Sequence, residues 1–384
     1  KVKNMHDTKI PLGPFHPLTK EPEQLKIYVK DKKVMDTEFF LGYNHRGIEK
    51  IAENRTYDKV LYLVERICGI CSNAHNSAFS HAVEKAAGLE ANERAKRIRG
   101  IVAELERIQS HLLWLGTQSH FLENDDLFKQ AMTDREVSLE LLEKISGKRI
   151  HYGLADFGGV KTDMNRETMR EIEKKTDVIE ENTKKIYEEV MSRESYVDRL
   201  KGVAKLSKKR AKELGVVGPV ARASGINMDN RKDNEYDAYP LVDFEVITDK
   251  KGDALARTEV RIKEIMESNR LINQFLEMPD QNPRGETEVT LEEKRTTAQI
   301  EAPRGENFHY LHTGEMKPKR LSIRPPTYAN FMALPEMTIG ERIKNAPLAV
   351  ISIDPCFSCA DRALIVDTET QEEKLKSFHE IIEK

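Results

Sequence analysis

The sequence predicts a mainly α-helical protein with β-containing ends, an α+β fold built around a central bundle of long helices. Between Tyr57 and Met278, apolar residues recur at helical spacing over long stretches. Toward both ends, short segments gather β-branched and aromatic residues between turn-forming ones. With 39% apolar and 33% charged residues, the 384-residue chain can fill a large core and still solvate its surface.

The elements follow in order. Leu25–Lys30, a turn at Asp31–Lys33 and Val34–Gly42 read as a β-hairpin. Tyr57–Ile67 is helical, and Asn92–Leu122 reads as one long helix with few breakers. Leu127–Ile145 and Asn165–Arg193 are further helices, the second so rich in Glu and Lys that one face is solvated. Gly and Pro mark Gly215–Gly225 as a loop, and Asp253–Met278 as the next long helix follows it. Beyond Pro279 the chain reads as irregular and strand-rich through the apolar run Leu348–Asp354. Ala363–Thr370 reads as a strand, and a short charged helix is expected to close the chain. This gives an N-terminal β-hairpin region (1–45), a helical bundle (46–200) and a mixed region (201–384), integrated in one unit.

Composition narrows the function. The net charge of −3 argues against a general nucleic-acid binder, so no nucleic-acid partner is expected. Mean hydropathy is −0.61. The longest apolar stretch, Ala346–Ile353, falls far short of the roughly 20 residues a spanning helix needs. The first residues contain no apolar leader segment, so a secretory signal is not expected.

All four cysteines fall in two Cys-x-x-Cys pairs, Cys68/Cys71 and Cys356/Cys359. Gly69 frees the backbone between the first two thiols, and Pro355 restricts it just before Cys356. Two such hairpins facing each other present four thiolates to one point, which suits zinc, an iron–sulfur cluster or a nickel centre. Zinc ribbons usually place their pairs about 15–20 residues apart. Here Cys71 and Cys356 are 285 positions apart, which favours a site closed between distant segments.

The surrounding residues extend the pattern. ERICGIC-x₃-H (Glu65–His75) and DPCFSC-x-x-R (Asp354–Arg362), with EAPRGE (Glu301–Glu306) between them, resemble the signatures of [NiFe]-hydrogenase large subunits. The resemblance covers almost the whole chain. Glu106–Gly116, Phe157–Val160 and Gly215–Gly225 are similar to the energy-converting, membrane-associated group, which in turn resembles the quinone-site subunit of respiratory complex I. Those complex I relatives lack the four cysteines and carry a second His in an HPxxHG loop, where this chain has HPLTKEP (His16–Pro22).

The resemblance implies a Ni–Fe(CN)₂(CO) centre. Cys68 and Cys356 would be terminal nickel ligands, and Cys71 and Cys359 would bridge the two metals. Arg304 would sit over the site, polarising bound hydrogen and bonding a cyanide; the plainer alternative is a salt bridge to Glu301 or Glu306. Ser352 is placed for a second cyanide, with ordinary backbone capping as its alternative. His75 would donate to a bridging sulfur. Glu21 would pass protons to and from the terminal cysteine, Cys356, which needs a pKa raised by burial. His16, His111, His151 and His309 read as ordinary histidines bonded to neighbours, and Trp114 as core. Glu65 and Arg66 read as an ion pair, or Arg66 as a brace for the cysteine loop.

The resemblance further implies an iron–sulfur small subunit carrying a [4Fe–4S] cluster, because no cysteines remain here to hold one. Integral membrane subunits moving H⁺ or Na⁺, a ferredoxin-type electron carrier and maturation machinery complete the expected partners. The expected place is the cytoplasmic side of the cell membrane, as a peripheral arm. In many relatives a peptidase cuts after the residue matching Arg362, but Ala363–Thr370 suits a strand, so a retained tail is expected. Two other readings stand beside the hydrogenase. One is a complex I-like subunit with a structural metal and a quinone or sulfur-compound reaction; the other is a zinc-stapled scaffold.

Overall fold

The computed structural model describes residues 24–40, 46–286, 288–355, 362–370 and 373–377. The fold is α+β, as the sequence predicts. A hairpin of Gln24–Lys30 and Lys33–Phe40 opens it. Asp31 and Lys32 both take positive φ at its turn, which matches the twist of the flanking strands. Gln24–Lys30 then pairs in parallel with Arg362–Asp367, placing Leu25 opposite Ala363. Glu373–Ser377 adds a fourth strand on the outer side. The two ends of the chain therefore share one mixed sheet. Glu373–Ser377 is a strand where the sequence suggested a closing helix; the last residues of that expectation lie outside the described ones.

Side-chain caps start the long helices where the sequence places them. Asn92 caps the long helix (Glu93–Phe121), accepting from the Ala95 N–H at 3.0 Å. Asn165 does the same for the outer helix (Arg166–Ser192), and Asp253 for the arginine helix (Ala254–Phe275). Each cap satisfies an otherwise orphaned backbone donor. The outer helix buries a single apolar and threonine stripe, including Ile172, Ile179, Ile186 and Val190, and leaves its Glu/Lys face in water. The long helix buries most of its circumference between Asp125–Ser146 and the arginine helix.

Two further expectations are corrected. The Gly215–Gly225 segment contains a short helix, Gly218–Ala223, because Pro219 sits at its first turn, where a missing N–H costs nothing. The apolar run before the second cysteine pair is also a helix, Ala346–Ile353, and every residue of it is buried. A run that is apolar all round carries no periodicity, so helix and strand cannot be told apart there from pattern.

A three-stranded antiparallel sheet, Arg295–Ala302, Gly305–His312 and Arg320–Arg324, completes the frame. Ala302 pairs with Gly305, so Pro303 and Arg304 form a two-residue turn. Gly305 (φ +126°) and Gly218 (φ +65°) touch backbone to backbone at this turn, and a Cβ on Gly218 would lie 2.4 Å from the Arg304 carbonyl oxygen. Gly218→Ala is therefore expected to cost about 2–5 kcal/mol, combining left-handed strain with overpacking against backbone. Gly147→Ala, with positive φ but open space around it, should cost only about 1–2 kcal/mol. Denaturant midpoints at constant slope measure both; equal losses would refute the close-approach argument.

Candidate functional site

The first cysteine pair lies between the helix Tyr57–Glu65 and the cysteine helix, Ser72–Ala87. Cys68 and Cys71 are both buried, each 4% exposed. Cys68 Sγ accepts from the backbone N–H groups of Ile70 (3.3 Å) and Cys71 (3.4 Å). Cys71 occupies the N-cap of a 16-residue helix, where the helix dipole favours negative charge. Both features suit thiolates rather than inert buried thiols.

The loop is braced from three sides. Arg46 donates to the carbonyls of Arg66 (2.6 Å) and Ile67 (2.9 Å). Gln109 donates to the carbonyl of Ile70 (2.7 Å). Glu106 accepts from the N–H groups of Asn73 (2.7 Å) and Ala74 (3.0 Å), capping the cysteine helix from the neighbouring long helix. Burial pushes the Glu106 carboxyl up to about 8, against the pull of those two N–H groups, and the Cys68 charge adds to the rise. Arg66 pairs with the buried Glu65 at 3.1 Å. Arg66 therefore pairs with Glu65, and Arg46, Gln109 and Glu106 brace the loop.

Arg304 is 2% exposed and spans two other segments. Its Nε donates to the Asp354 carbonyl (2.8 Å), Nη2 to Asp354 Oδ1 (2.9 Å) and Nη1 to Ser110 Oγ (3.1 Å). Asp354 is the left-handed C-cap of the helix Ala346–Ile353, two residues before Cys356. The alternative of a salt bridge to a near neighbour in sequence does not hold: Glu301 is taken by Arg222 and Asn230, and Glu306 by Arg324. Arg304 instead ties the EAPRG turn to the residue that leads into the second cysteine pair.

His75 is buried, with Nδ1 3.2 Å from His309 Nε2. Burial pushes its imidazole down to about 4, against the Cys68 charge. Ser352 donates its single hydroxyl proton to the Ala349 carbonyl (2.8 Å) and accepts from Arg257 (3.1 Å), the capping arrangement the sequence left open. His111 bonds Glu264 at 2.9 Å, and His151 bonds the Glu65 carbonyl at 3.0 Å. Trp114 is core, donating to the Ile351 carbonyl. Glu21, His16, Cys356 and Cys359 lie outside the described residues.

Behind the site lies a buried charge cluster. Arg222 contacts Glu264 (2.7 Å), Glu301 (2.7 Å) and Asp229 (3.1 Å). Arg231 joins Asp229 to Glu104, which also accepts from Ser268 and Tyr239. A second group, Arg99 with Glu84, Asp237 and His81, lines a cleft of about 760 Å³. Apart from Glu301, none of these residues stands out in the sequence alone.

Comparisons with known proteins show the family. Residues 125–293 and 284–362 match the family "Respiratory-chain NADH dehydrogenase, 49 Kd subunit". Residues 46–171 match "Nickel-dependent hydrogenase". The membrane-bound hydrogenase subunit alpha of Pyrococcus furiosus is 37% identical over 380 residues, covering 93% of this chain and 88% of that protein. The chain belongs to this family of membrane-bound hydrogenase large subunits and complex I 49-kDa-type subunits. Formate hydrogenlyase subunit 5 of Escherichia coli is 34% identical over 378 residues, with 97% of this chain matched to 66% of its length. A chain of the membrane-bound sulfane sulfur reductase, an archaeal respiratory membrane complex, superposes with a TM-score of 0.85 at 29% identity, covering 91% of this chain and 97% of that one. Family membership supports an oxidoreductase, and these relatives belong to multi-subunit membrane complexes. No helix among the described residues is long and apolar enough to cross a membrane.

Two outcomes test the buried charges. Arg222→Met strands Glu264 and Glu301 and should cost about 3–5 kcal/mol in denaturant unfolding; a loss below about 1 kcal/mol would mean the cluster is solvated. Burial alone would raise Glu84, but Arg99 and His81 outweigh it and hold the carboxyl down at about 2, below its ordinary 4.5. Its contribution is therefore complete above pH 4.5 and lost as pH falls through about 2. Glu84→Gln should flatten that part of the acid limb in a pH series of unfolding midpoints, and an unchanged limb would contradict the pairing.

Proposed function

We propose that the chain is the catalytic subunit of an energy-converting [NiFe]-hydrogenase, interconverting H₂ with two protons and two electrons. The observation that carries this reading is that the thiolate-favouring Cys68/Cys71 loop packs with Ala302, next to the turn whose Arg304 is anchored on Asp354, two residues before Cys356. The donor set fits the group: soft thiolates are what nickel and iron require. Cys68, Cys71, Cys356 and Cys359 would hold the nickel and iron. When bound, the Ni–Fe(CN)₂(CO) group would supply heterolytic cleavage of H₂.

The residues of the chain do the rest. Arg304, fixed by Ser110 and Asp354, keeps a permanent positive charge beside the site without reorganising. Neutral His75 offers a hydrogen bond to the cysteine pair. Glu21 serves as the proton acceptor and donor, and Ser352 stays a structural cap in this arrangement. A partner subunit holding a [4Fe–4S] cluster would take the electrons on toward a ferredoxin-type carrier. Membrane subunits couple the flow to H⁺ or Na⁺ movement, with this subunit on the cytoplasmic side and maturation proteins loading the metals.

A second reading, a complex I-like subunit reducing a quinone or a sulfur compound, is favoured by the match to the 49 Kd family and by the likeness to the sulfane sulfur reductase. Metal content in the native complex separates the two. Cys68→Ser should remove nickel and lower H₂-dependent dye reduction at least 100-fold, while Trp114 fluorescence reports an intact fold. Retained turnover of another acceptor in a nickel-free complex would favour the second reading.

A further inference from the structure

We infer that Asn307 and His309 are positioning residues that fix the tautomer of His75, holding its proton on Nε2 so that this nitrogen is the donor toward the cysteine pair. The inference rests on the [NiFe] reading for its purpose but not for its geometry.

The side-chain amide of Asn307 decides the matter. Its Nδ2 lies 3.1 Å from the Ala74 carbonyl oxygen, a contact only a donor can make, so the orientation of the amide is settled. The same Nδ2 lies 3.3 Å from His75 Nδ1. An N–H therefore faces His75 Nδ1, and that nitrogen must accept. A neutral imidazole accepting at Nδ1 carries its proton at Nε2. His309 Nε2, 3.2 Å from the same His75 atom, then carries a proton too and shares the one lone pair of His75 Nδ1 with Asn307. That assignment leaves His309 Nδ1 as a lone pair, and this atom has no hydrogen-bond partner among the described residues. The reverse tautomer of His75 would set its Nδ1–H against the N–H of Asn307 at 3.3 Å.

Charge and topology agree. Asn307 and His309 are both fully buried and stand two apart on the strand Gly305–His312, so they share one face of it. Both rings are cut off from water, which disfavours a charged imidazole. A protonated His75 would in any case set a donor at Nδ1 against Asn307. The strand starts at Gly305, directly after Arg304, so one hairpin positions both the guanidinium and the tautomer lock.

Selective ¹⁵N-histidine labelling of the full chain, with His75→Gln to assign the signal, reads the tautomer directly in the absence of metal. At pH 7 His75 should be neutral and protonated at Nε2. His309→Gln, whose amide can still donate, should leave it there. Asn307→Asp replaces a donor by an acceptor and should move the proton to Nδ1 or charge the ring. A wild-type ring protonated at Nδ1, or one protonated at both nitrogens, overturns the inference. So does an Asn307→Asp chain that keeps the Nε2 tautomer. If Asn307→Asp fails to fold, the wild-type and His309→Gln spectra decide. Because the spectrum needs no metal, loss of the hydrogenase reading leaves this result standing.

Discussion

The contact on which the site depends is the guanidinium of Arg304 on Asp354 and Ser110. Its hydrogen bonds to them join a β-turn, the centre of the long helix and the end of the helix that leads to the second cysteine pair. These segments are far apart in sequence, so only a correctly assembled fold brings them together. Both partners of the ion pair are 2% exposed. A pair so deeply desolvated is weak evidence of stability gained, because removing two charges from water costs several kcal/mol each. Its value lies in geometry: a planar, permanently charged fork has one way to satisfy both Asp354 and Ser110.

The same logic runs through the interior. The long helix contributes Glu104, Glu106, Arg107, Gln109, Ser110 and His111, all buried. Glu106 and Gln109 hold the first cysteine loop, Ser110 holds Arg304, and Glu104 and Arg107 belong to the charge cluster behind them. One rigid helix thus sets the relative position of both halves of the site. A polar interior of this kind tolerates few alternative packings, since any slip strands a charge. Rigid support of this sort is what a metal centre held by side chains from distant segments requires.

Much of this was legible in the sequence where the physics is local. The hairpin turn at Asp31–Lys32, the Asn92, Asn165 and Asp253 caps and the solvated face of Arg166–Ser192 all follow from nearest-neighbour chemistry. The family, too, could be read from three short motifs. Ala346–Ile353 was misread because an apolar run without periodicity fits either a strand or a buried helix. Gly218–Ala223 was misread because Gly and Pro mark loops and helix starts alike. Arg46, Glu106, Asn307 and Arg222 do not stand out in the sequence, because most of their partners lie 20 or more positions away. The pairing of His75 with His309 was hidden in the same way, across 234 positions.

The central claim is that the cysteine pairs hold a Ni–Fe centre. An infrared spectrum of the complex, purified anaerobically from its own organism, tests it most directly. Sharp CO and CN⁻ stretches are expected, because protein groups do not absorb in that window. A spectrum without them, from active and fully matured material, would contradict the account and return Cys68, Cys71, Cys356 and Cys359 to zinc or iron–sulfur binding.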